Sequence, residues 1–517
     1  MSRRASAQIS TVVAPKSAPM VLPSDRLEMV EAWGQASRSA SWVYRPTTTE
    51  QVAKVFDIAR KTGRKVGMKG SGCSYGDAFQ NAEGIVLDMS RMNRILDWNP
   101  ETGRIVVQPG LRIAELWRYT IEDGWWPPVV SGTMFTSMGG CASMNIHGKN
   151  AWHVGPFGEH ILEFELMTPA GEILRVTEAT HPDLFRAAIS GFGMLGVFVS
   201  LTIQMKKVYS GNLRVIPQRV RNFEETFDAF EANADKMDYM VGWNDCFPSS
   251  RSESGRGELH FAQHLEPGED ARPQQSLRVV NQELPDLILG LFPKSALWIG
   301  MTPFVNNVGM KLINTAKYSA QFKPGADKPH LQSHAGFAFL LDYVPNWKKA
   351  YLPGGLIQHQ SFMPKDSALS ILREITRLTH RRNVVPYLGV TKKHRTDRFL
   401  ITHGVDGYSI ALDFKVTAEN RARLWRTCQD IDQIVTEAGG RHYFAKDLTM
   451  KSGTPNRYLA PEDLELFFRL KKQYDPNEVL STNLYRRIFG PAPAPSAMNS
   501  TGKATPQGRP ARLSKIA

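Results

Sequence analysis

Apolar and polar residues alternate with two different periods along the first two hundred positions of the chain. Residues 47–62 place apolar side chains at helical spacing behind a hydroxyl cap, which predicts a helix, and residues 112–122 predict another. Short apolar runs predict strands at residues 65–68, 84–89, 104–108 and 197–205. Glycine-rich turns are predicted at residues 70–77, 131–148 and 190–196. Strands and helices therefore alternate here around three glycine-rich turns.

The pattern changes after about Val208. Glycine clusters become fewer, and alternating runs such as residues 408–414 predict strands. We therefore predict a domain boundary near Val208. Residues 284–305 are rich in apolar side chains, but prolines interrupt them and exclude a single regular helix. This segment is predicted to be a buried loop with short helices, and a mobile lid or a membrane-surface patch is the alternative.

Composition bounds the possible functions. The chain has 517 residues, of which 42% are hydrophobic, and this is enough for two domains. The formal net charge of +13 favours anionic ligands and lipid headgroups as partners. The basic residues are dispersed and form no recognition motif, so nucleic acid is not predicted as a partner, and a basic nucleic-acid-binding protein is only a remote alternative.

The two ends of the chain have biased compositions. Residues 1–21 lack a sustained apolar core, which predicts a disordered leader rather than a secretory signal, with a mitochondrial presequence as the alternative. Residues 491–517 combine basic residues with Pro, Ala, Ser and Gly, which predicts a disordered basic tail. No apolar run is long enough to span a bilayer.

The four cysteines show neither a zinc-ligand spacing nor a disulfide pattern, so no metal site is predicted. A reducing compartment fits best, and we expect a cytoplasmic location with contact to a membrane surface as an option.

The first two glycine-rich turns indicate nucleotide binding. Residues 70–77 (Gly-Ser-Gly-Cys-Ser-Tyr-Gly-Asp) follow a predicted strand, and the glycines allow backbone N–H groups to point at a diphosphate. No Gly-Lys-Ser/Thr follows, and the glycine spacing differs from the Rossmann fingerprint, so both of those folds are excluded. The second turn adds an imidazole at His147 and a cation at Lys149, and on its own it is equally typical of an ordinary turn-rich loop.

These turns, together with residues 191–196, 439–447 and 474–481 in the same order, resemble the vanillyl-alcohol-oxidase superfamily of flavoproteins. Within it, the chain is most similar to the decaprenylphosphoryl-ribose 2-oxidase family, with aldonolactone and alditol oxidases as more distant relatives. The resemblance implies an FAD-dependent oxidoreductase that acts on CH–OH groups. It also implies an α+β fold, in which a PCMH-type FAD-binding domain of two subdomains is joined to a substrate (cap) domain built on an antiparallel sheet flanked by helices.

The resemblance assigns the parts of the chain. Residues 22–208 would form the FAD-binding domain and residues 209–440 the cap. Residues 441–490 would return to the FAD-binding domain. The implied cofactor-binding residues are Gly70, Ser71, Gly72, Cys73, Ser74, Tyr75, Gly132, Thr133, Gly139, Gly140, His147, Gly148, Lys149, Asn150, Gly196 and Val197.

The same resemblance implies the catalytic residues. Lys446 would hold the substrate hydroxyl or accept its proton while hydride leaves the carbon, and Gln360 and Lys392 would orient the sugar or its phosphate. Gln358 and Trp243 match more weakly and are expected to belong to a polar strand face.

The chain departs from the family pattern at several positions. Cys73 stands where many members of the superfamily carry a flavin-linked histidine, so non-covalent FAD is expected, with a cysteinyl link as the alternative. Ser409 and Ala411 replace an amide and a cysteine of the family, and His394 replaces an aromatic residue. These changes leave two substrates open, a polyprenyl-phosphate-linked pentose or a soluble sugar alcohol or lactone. The electron acceptor and any partner reductase are not predicted.

Overall fold

The computed structural model describes residues 21–288 and 292–490. The predicted basic tail, and all but the last residue of the predicted leader, lie outside these ranges.

The first half of the chain forms two main sheets. Its strands are β1 Leu27–Glu31, β2 Arg38–Tyr44, β3 Val66–Lys69, β4 Ile85–Asp88, β5 Ile95–Asn99, β6 Arg104–Val107, β7 Trp125–Trp126, β8 Ile161–Met167, β9 Ile173–Thr177, β10 Val197–Gln204 and β11 Lys206–Lys207. The first sheet has the order β1-β2-β4-β3, with β4 parallel to both of its neighbours. The second is antiparallel, in the order β5-β6-β10-β8-β9, and β7 pairs with β11.

Five helices accompany these strands: α1 Thr49–Thr62, α2 Ile113–Thr120, α3 Met138–Ser143, α4 Ala151–Val154 and α5 Pro182–Ala188. The first shows why the sequence folds as it does locally. The Thr48 side chain accepts a hydrogen bond from the Gln51 amide at its start, and Gly63 ends it in the left-handed conformation with φ of 65°. Its apolar face, including Phe56, packs against the first sheet.

The second half forms one large antiparallel sheet. Its strands are β12 Asn212–Val220, β13 Tyr239–Asn244, β14 Gly257–His264, β15 Leu287–Ile288, β16 Phe292–Pro293, β17 His330–Ser333, β18 Leu356–Pro364, β19 Leu388–His394, β20 Gly407–Lys415 and β21 Arg441–His442. Eight of them follow the order β17-β12-β14-β13-β19-β20-β18-β21, while β15 and β16 form a separate pair.

Helices cover one face of this sheet. The helices of the second half are α6 Phe223–Asn233, α7 Pro273–Ser276, α8 Val279–Gln282, α9 Leu297–Met301, α10 Asn307–Ala320, α11 His334–Ala338, α12 Ala368–Arg381 and α13 Arg421–Glu437. The apolar faces of α6, α12 and α13 share one core with the sheet, which leaves the other sheet face free to meet the first half of the chain. The α+β prediction is confirmed, and the predicted domain boundaries stay predictions.

The end of the described chain packs back onto the first half through α14 Pro461–Tyr474 and α15 Asn483–Phe489. The backbone at Val479 and Ser481 pairs with Val66 of β3, with N···O distances of 2.7 and 2.9 Å. From α15, Arg487 contacts Asp77 and Asp447 at 2.7 and 2.8 Å. These contacts connect the segment before α14 to the first glycine-rich turn.

The prediction of a buried loop at residues 284–305 is wrong. Short helices do form there, but several of their apolar side chains are exposed, while Leu297, Trp298 and Met301 are partly buried. The exposed fraction is 59% at Ile299 and 52% at Phe304, and it reaches 72% at Val308 and 63% at Leu312 on α10. Only a few side chains, such as Val305, are buried, so the segment lies on the protein rather than inside it. Among the described residues, no helix has the length and apolar character needed to cross a membrane.

Candidate active site

A cavity of about 270 Å³ lies where the glycine-rich turns meet the free face of the large sheet. Every predicted site residue lines it except Gly148 and Asn150. The structure thus brings together the three glycine-rich turns of the first half, four strands of the large sheet and the segment that carries Lys446.

The first turn forms one wall at very close range. A Cβ at Gly70 would lie 2.0 Å from Ser137 Oγ and would displace this hydroxyl, which accepts a hydrogen bond of 3.2 Å from the Ser71 amide. The chain then bends at Gly72, with φ of 69°. Within residues 21–288 and 292–490, the backbone N–H groups of Gly72, Cys73 and Ser74 have no acceptor.

The carboxylate of Asp342, from the second half of the chain, fixes the second turn. Asp342 accepts hydrogen bonds from the Thr133 hydroxyl at 2.7 Å and from the Met134 amide at 2.8 Å. Farther along the turn, Gly139 packs so tightly on Pro109 that an added Cβ would lie 2.8 Å from the proline Cβ. Together these contacts hold the backbone of the turn against the cavity.

The large sheet supplies the polar side chains of the facing wall. Because side chains of a strand alternate between its two faces, Gln358 and Gln360 of β18 point to the cavity together with Lys392 of β19 and Ala411 of β20. Gln358 lies on a polar strand face, as expected, and this face lines the cavity. Trp243 does not line it, and its ring lies 4.2 Å from the Lys317 ammonium instead.

A continuous polar network runs along this wall. Lys392 Nζ lies 3.5 Å from His147 Nδ1, and Gln360 Nε2 lies 3.0 Å from His147 Nε2. Gln360 continues to the Ser409 hydroxyl at 3.4 Å, which in turn contacts His394 at 2.8 Å. Ser409 and His394 are two of the departures from the family pattern, and the structure shows that they are partners.

Burial sets the protonation of this network. It lowers the pKa of Lys392 to about 8, and it lowers the pKa of His147 well below its usual range, an effect that Lys392 reinforces. His147 is therefore neutral near pH 7. Because a neutral imidazole has only one acceptor nitrogen, only one of its two neighbours at a time can donate to the ring.

Lys446 is held between the first turn and the cap. The Tyr75 amide donates to the Ala445 carbonyl at 3.0 Å, and the Lys446 ammonium lies 3.7 Å from the centre of the Tyr75 ring. The close approach requires glycine at position 76, where a Cβ would lie 1.9 Å from the Asp447 carbonyl oxygen. Burial lowers the pKa of Lys446 to about 7, although Asp413 opposes the shift.

Asp413 was not predicted as a site residue. It lies two positions after Ala411 on β20, is 1% exposed, and accepts a 2.5 Å hydrogen bond from Gln358 through Oδ1. Burial raises its pKa to about 6, and Lys446 opposes that rise. The alternating run 408–414 could have predicted it, because residues two positions apart on a strand lie on the same face and Ala411 faces the cavity.

Two predicted residues of the second turn do not line the cavity, and a third lines it with its side-chain nitrogen bonded elsewhere. Asn150 donates to the Pro128 carbonyl at 2.9 Å, away from the cavity, and Gly148 is packed against the Asn150 side chain. Lys149 lines the cavity, but its ammonium hydrogen-bonds to the Phe337 carbonyl and lies 4.2 Å from the Phe337 ring. These residues support the wall, and the Lys149 side chain donates its hydrogen bond to the Phe337 carbonyl rather than into the cavity.

Cys73 faces the cavity as a thiol. Its sulfur lies 3.6 Å from the Phe135 carbonyl oxygen, and burial raises its pKa to about 11. A thiolate, which is the reactive form of cysteine, is therefore disfavoured at neutral pH.

Comparisons with known proteins agree with this geometry. The family profile described as FAD binding domain matches residues 40–177. The chain is 27% identical to decaprenylphosphoryl-beta-D-ribose oxidase of Mycolicibacterium smegmatis, over 88% of this chain and 96% of that protein. It is 28% identical to D-arabinono-1,4-lactone oxidase of Eremothecium gossypii over 39% of this chain and 37% of that protein. With L-gulonolactone oxidase of Bos taurus the identity is 25%, over 38% and 44%.

The cavity fits FAD. Three backbone amides without acceptors suit the diphosphate, and the glycines at positions 70 and 139 give the close backbone approach that a dinucleotide needs. FAD is the cofactor, and its bound ring supplies hydride acceptance. The chain therefore carries a PCMH-type FAD-binding domain and is similar to FAD-linked oxidoreductases that act on sugar derivatives.

Proposed function

We propose that this enzyme oxidises a secondary alcohol of a sugar carried on a polyprenyl phosphate. The observation that carries the proposal is the extent of similarity: the likeness to decaprenylphosphoryl-beta-D-ribose oxidase spans 96% of that protein and includes the cap, whereas the likeness to the two lactone oxidases covers only 37% and 44% of theirs. The cap is the part that faces the substrate in this proposal.

The cavity offers a role for each predicted catalytic residue. Lys446, with a pKa of about 7, is half neutral at pH 7, so its amine accepts the proton of the substrate hydroxyl as hydride leaves the carbon. Gln360 and Lys392 hold the sugar hydroxyls or the phosphate through the polar network. FAD held by the glycine-rich turns would supply the hydride acceptor.

We assign the cofactor contacts to the turns. Residues 70–75 and 139–140 hold the diphosphate, and residues 132–133 and 196–197 line the rest of the cofactor. Attachment is non-covalent, because the Cys73 thiol has a raised pKa.

The exposed apolar surface, defined here as residues 299–322, supports a lipid-linked substrate. Between positions 287 and 326 the sequence has four lysines and no acidic residue. Exposed apolar side chains next to cations suit the boundary between anionic headgroups and acyl chains. A peripheral membrane contact would bring the cavity to the membrane where such a substrate resides.

A soluble sugar alcohol or lactone is the second candidate. It is favoured by the departures at Ser409, Ala411 and His394, which change the wall that faces the sugar. In that case the exposed apolar surface has no role in substrate supply.

Anaerobic bleaching of the purified yellow protein separates the candidates. We expect a polyprenyl-phosphate pentose to reduce the flavin faster than any alditol, sugar or lactone in the panel. Faster bleaching by a lactone or alditol would reject the first candidate. Mixing the reduced protein with air-saturated buffer or with a quinone then identifies the electron acceptor.

Sedimentation with anionic vesicles at low salt tests the membrane contact. We expect the wild type to sediment and the double variant Val308→Asp/Leu312→Asp to remain in solution, since both side chains are exposed on α10. Leu96→Asp, on β5 and 50% exposed, is the matched control and should sediment like the wild type. Equal sedimentation of all three proteins would exclude α10 as the contact.

A further inference from the structure

A buried cluster of two histidines and an aspartate lies behind the catalytic wall. Gln358 and Gln360 of β18 face the cavity, so His359 between them faces the opposite side, where α13 packs. There it meets Asp432 of α13 and His442 of β21. The three residues are 5%, 3% and 4% exposed.

The three side chains converge on one point. His359 Nε2 lies 2.8 Å from Asp432 Oδ1, and His442 Nδ1 lies 3.5 Å from the same oxygen. One ligand atom from each residue lies within 4.8 Å of the others. A tetrahedral zinc site with bonds of about 2.0–2.1 Å places its ligand atoms about 3.3 Å apart, which lies between the 2.8 and 3.5 Å separations found here.

The outer nitrogen of each imidazole is already positioned by a hydroxyl. His359 Nδ1 lies 3.3 Å from Ser361 Oγ, and His442 Nε2 lies 3.2 Å from Thr436 Oγ1. Metal-binding histidines use the outer N–H in this way, which fixes the ring and directs the other nitrogen at the ion. Both rings here have that arrangement.

Among the described residues, the carboxylate of Asp432 is paired with the imidazoles of His359 and His442. In the described part of the chain, no lysine or arginine forms an ion pair with it, and its Oδ2 has no hydrogen-bond partner. A buried carboxylate in such surroundings needs positive charge. The small cavity beside it is lined by all three cluster residues and by Asp447.

We propose that His359, Asp432 and His442 bind a divalent transition-metal ion, with Zn²⁺ as the best match. The ligand set of two imidazoles and one carboxylate suits zinc, and a water or the second Asp432 oxygen would complete four-coordination. The site gives no spacing signal in the sequence because its members lie on three separate elements.

The ion would have a structural role. It faces away from the cavity, and it would join β18, which carries Gln360, to the short strand that leads into Tyr443 and Lys446. A metal ion here would therefore fix the position of the strand that carries Gln360 relative to the segment that carries Lys446. The assignment is independent of the proposed substrate, because metal content is measured without any turnover.

Metal analysis of the full-length, tag-free holoprotein tests the proposal. After expression with added zinc and extensive dialysis, we expect about one zinc per chain, which His442→Ala and Asp432→Asn should lose while retaining FAD. His330→Ala, which removes an exposed histidine, is the control and should retain the metal. Zinc bound equally by His442→Ala, or a wild type without metal, would overturn the proposal.

A second measurement uses only the wild-type protein, so it does not depend on whether the variants fold. Zinc added to chelator-treated wild type should raise its Tm progressively with zinc concentration, and magnesium should not. Co²⁺ in the same site should add visible absorption at longer wavelength than the flavin band. No Tm shift and no new absorption would mean that the cluster is a hydrogen-bonded network only, and the proposal would be rejected.

Discussion

Replacing Lys446 by methionine keeps a side chain of similar length in the cavity and removes the amine. The structure sets the expected size of the effect. With a pKa of about 7, roughly half of Lys446 is neutral at pH 7, whereas an ordinary lysine near 10.4 would be neutral in about one molecule in 2,500. Burial thus raises the supply of neutral amine by about 10³-fold, within the range of about 10²–10⁴ that a positioned base contributes.

The assay is anaerobic stopped-flow bleaching with the best substrate of the panel. We expect Lys446→Met to bind FAD normally, as judged by its visible spectrum, and to be reduced at least about 10²-fold more slowly. The wild-type rate should rise with pH through about 7 and then level off, because the neutral amine is the competent form. The variant should lack this rise. Lys451→Ala, which changes an exposed lysine nearby, should match the wild type.

Two results would refute this reasoning. A reduction rate for Lys446→Met within tenfold of the wild type would remove the amine from the chemical step. A wild-type rate that falls through pH 7 would mean that the charged ammonium is the active form, so Lys446 would donate to the substrate rather than accept its proton.

Three further predictions follow from the geometry of the site. Gly70→Ala should weaken FAD binding by about tenfold or more in a titration, because the new Cβ would overlap a serine hydroxyl, whereas Gly300→Ala, which has open space, should bind normally. Acid denaturation should release yellow FAD into the supernatant from both the wild type and Cys73→Ala, and colour in the wild-type pellet alone would indicate a thioether. Arg487→Ala should lower the free energy of unfolding by about 3–5 kcal/mol in denaturant titrations, since two buried carboxylates lose their cation, and a loss below about 1 kcal/mol would show that the ion pairs matter little.

The sequence predicted best what depends on local chemistry. The helix at 49–62 begins at its hydroxyl cap and ends at glycine, and the turn at 70–77 takes the tight path that its glycines allow. The alternating run 408–414 forms a strand with a cavity-facing row. These features are set within a few residues, so the pattern of the chain contains them.

Features that depend on distant neighbours were not predictable in this way. Lys149 matches a flavin-site motif, yet its ammonium is captured by a carbonyl from α11. The apolar run near Trp298 gives the same pattern whether it is buried or exposed, and only the number of elements packed on it decides. His359 and His442 meet because β18 and β21 are neighbours in the sheet, although the chain separates them widely.

The position of Lys446 and Arg487 in the chain has a consequence for biogenesis. The first glycine-rich turn leaves the ribosome early, since synthesis runs from the N-terminus, but Lys446, which lies over Tyr75, and Arg487, which pairs with Asp77, are made much later. A nascent chain that ends before Lys446 offers the dinucleotide a site that lacks one of its walls. The finished pocket forms after translation is nearly complete, which makes cofactor loading a late event in the life of the polypeptide.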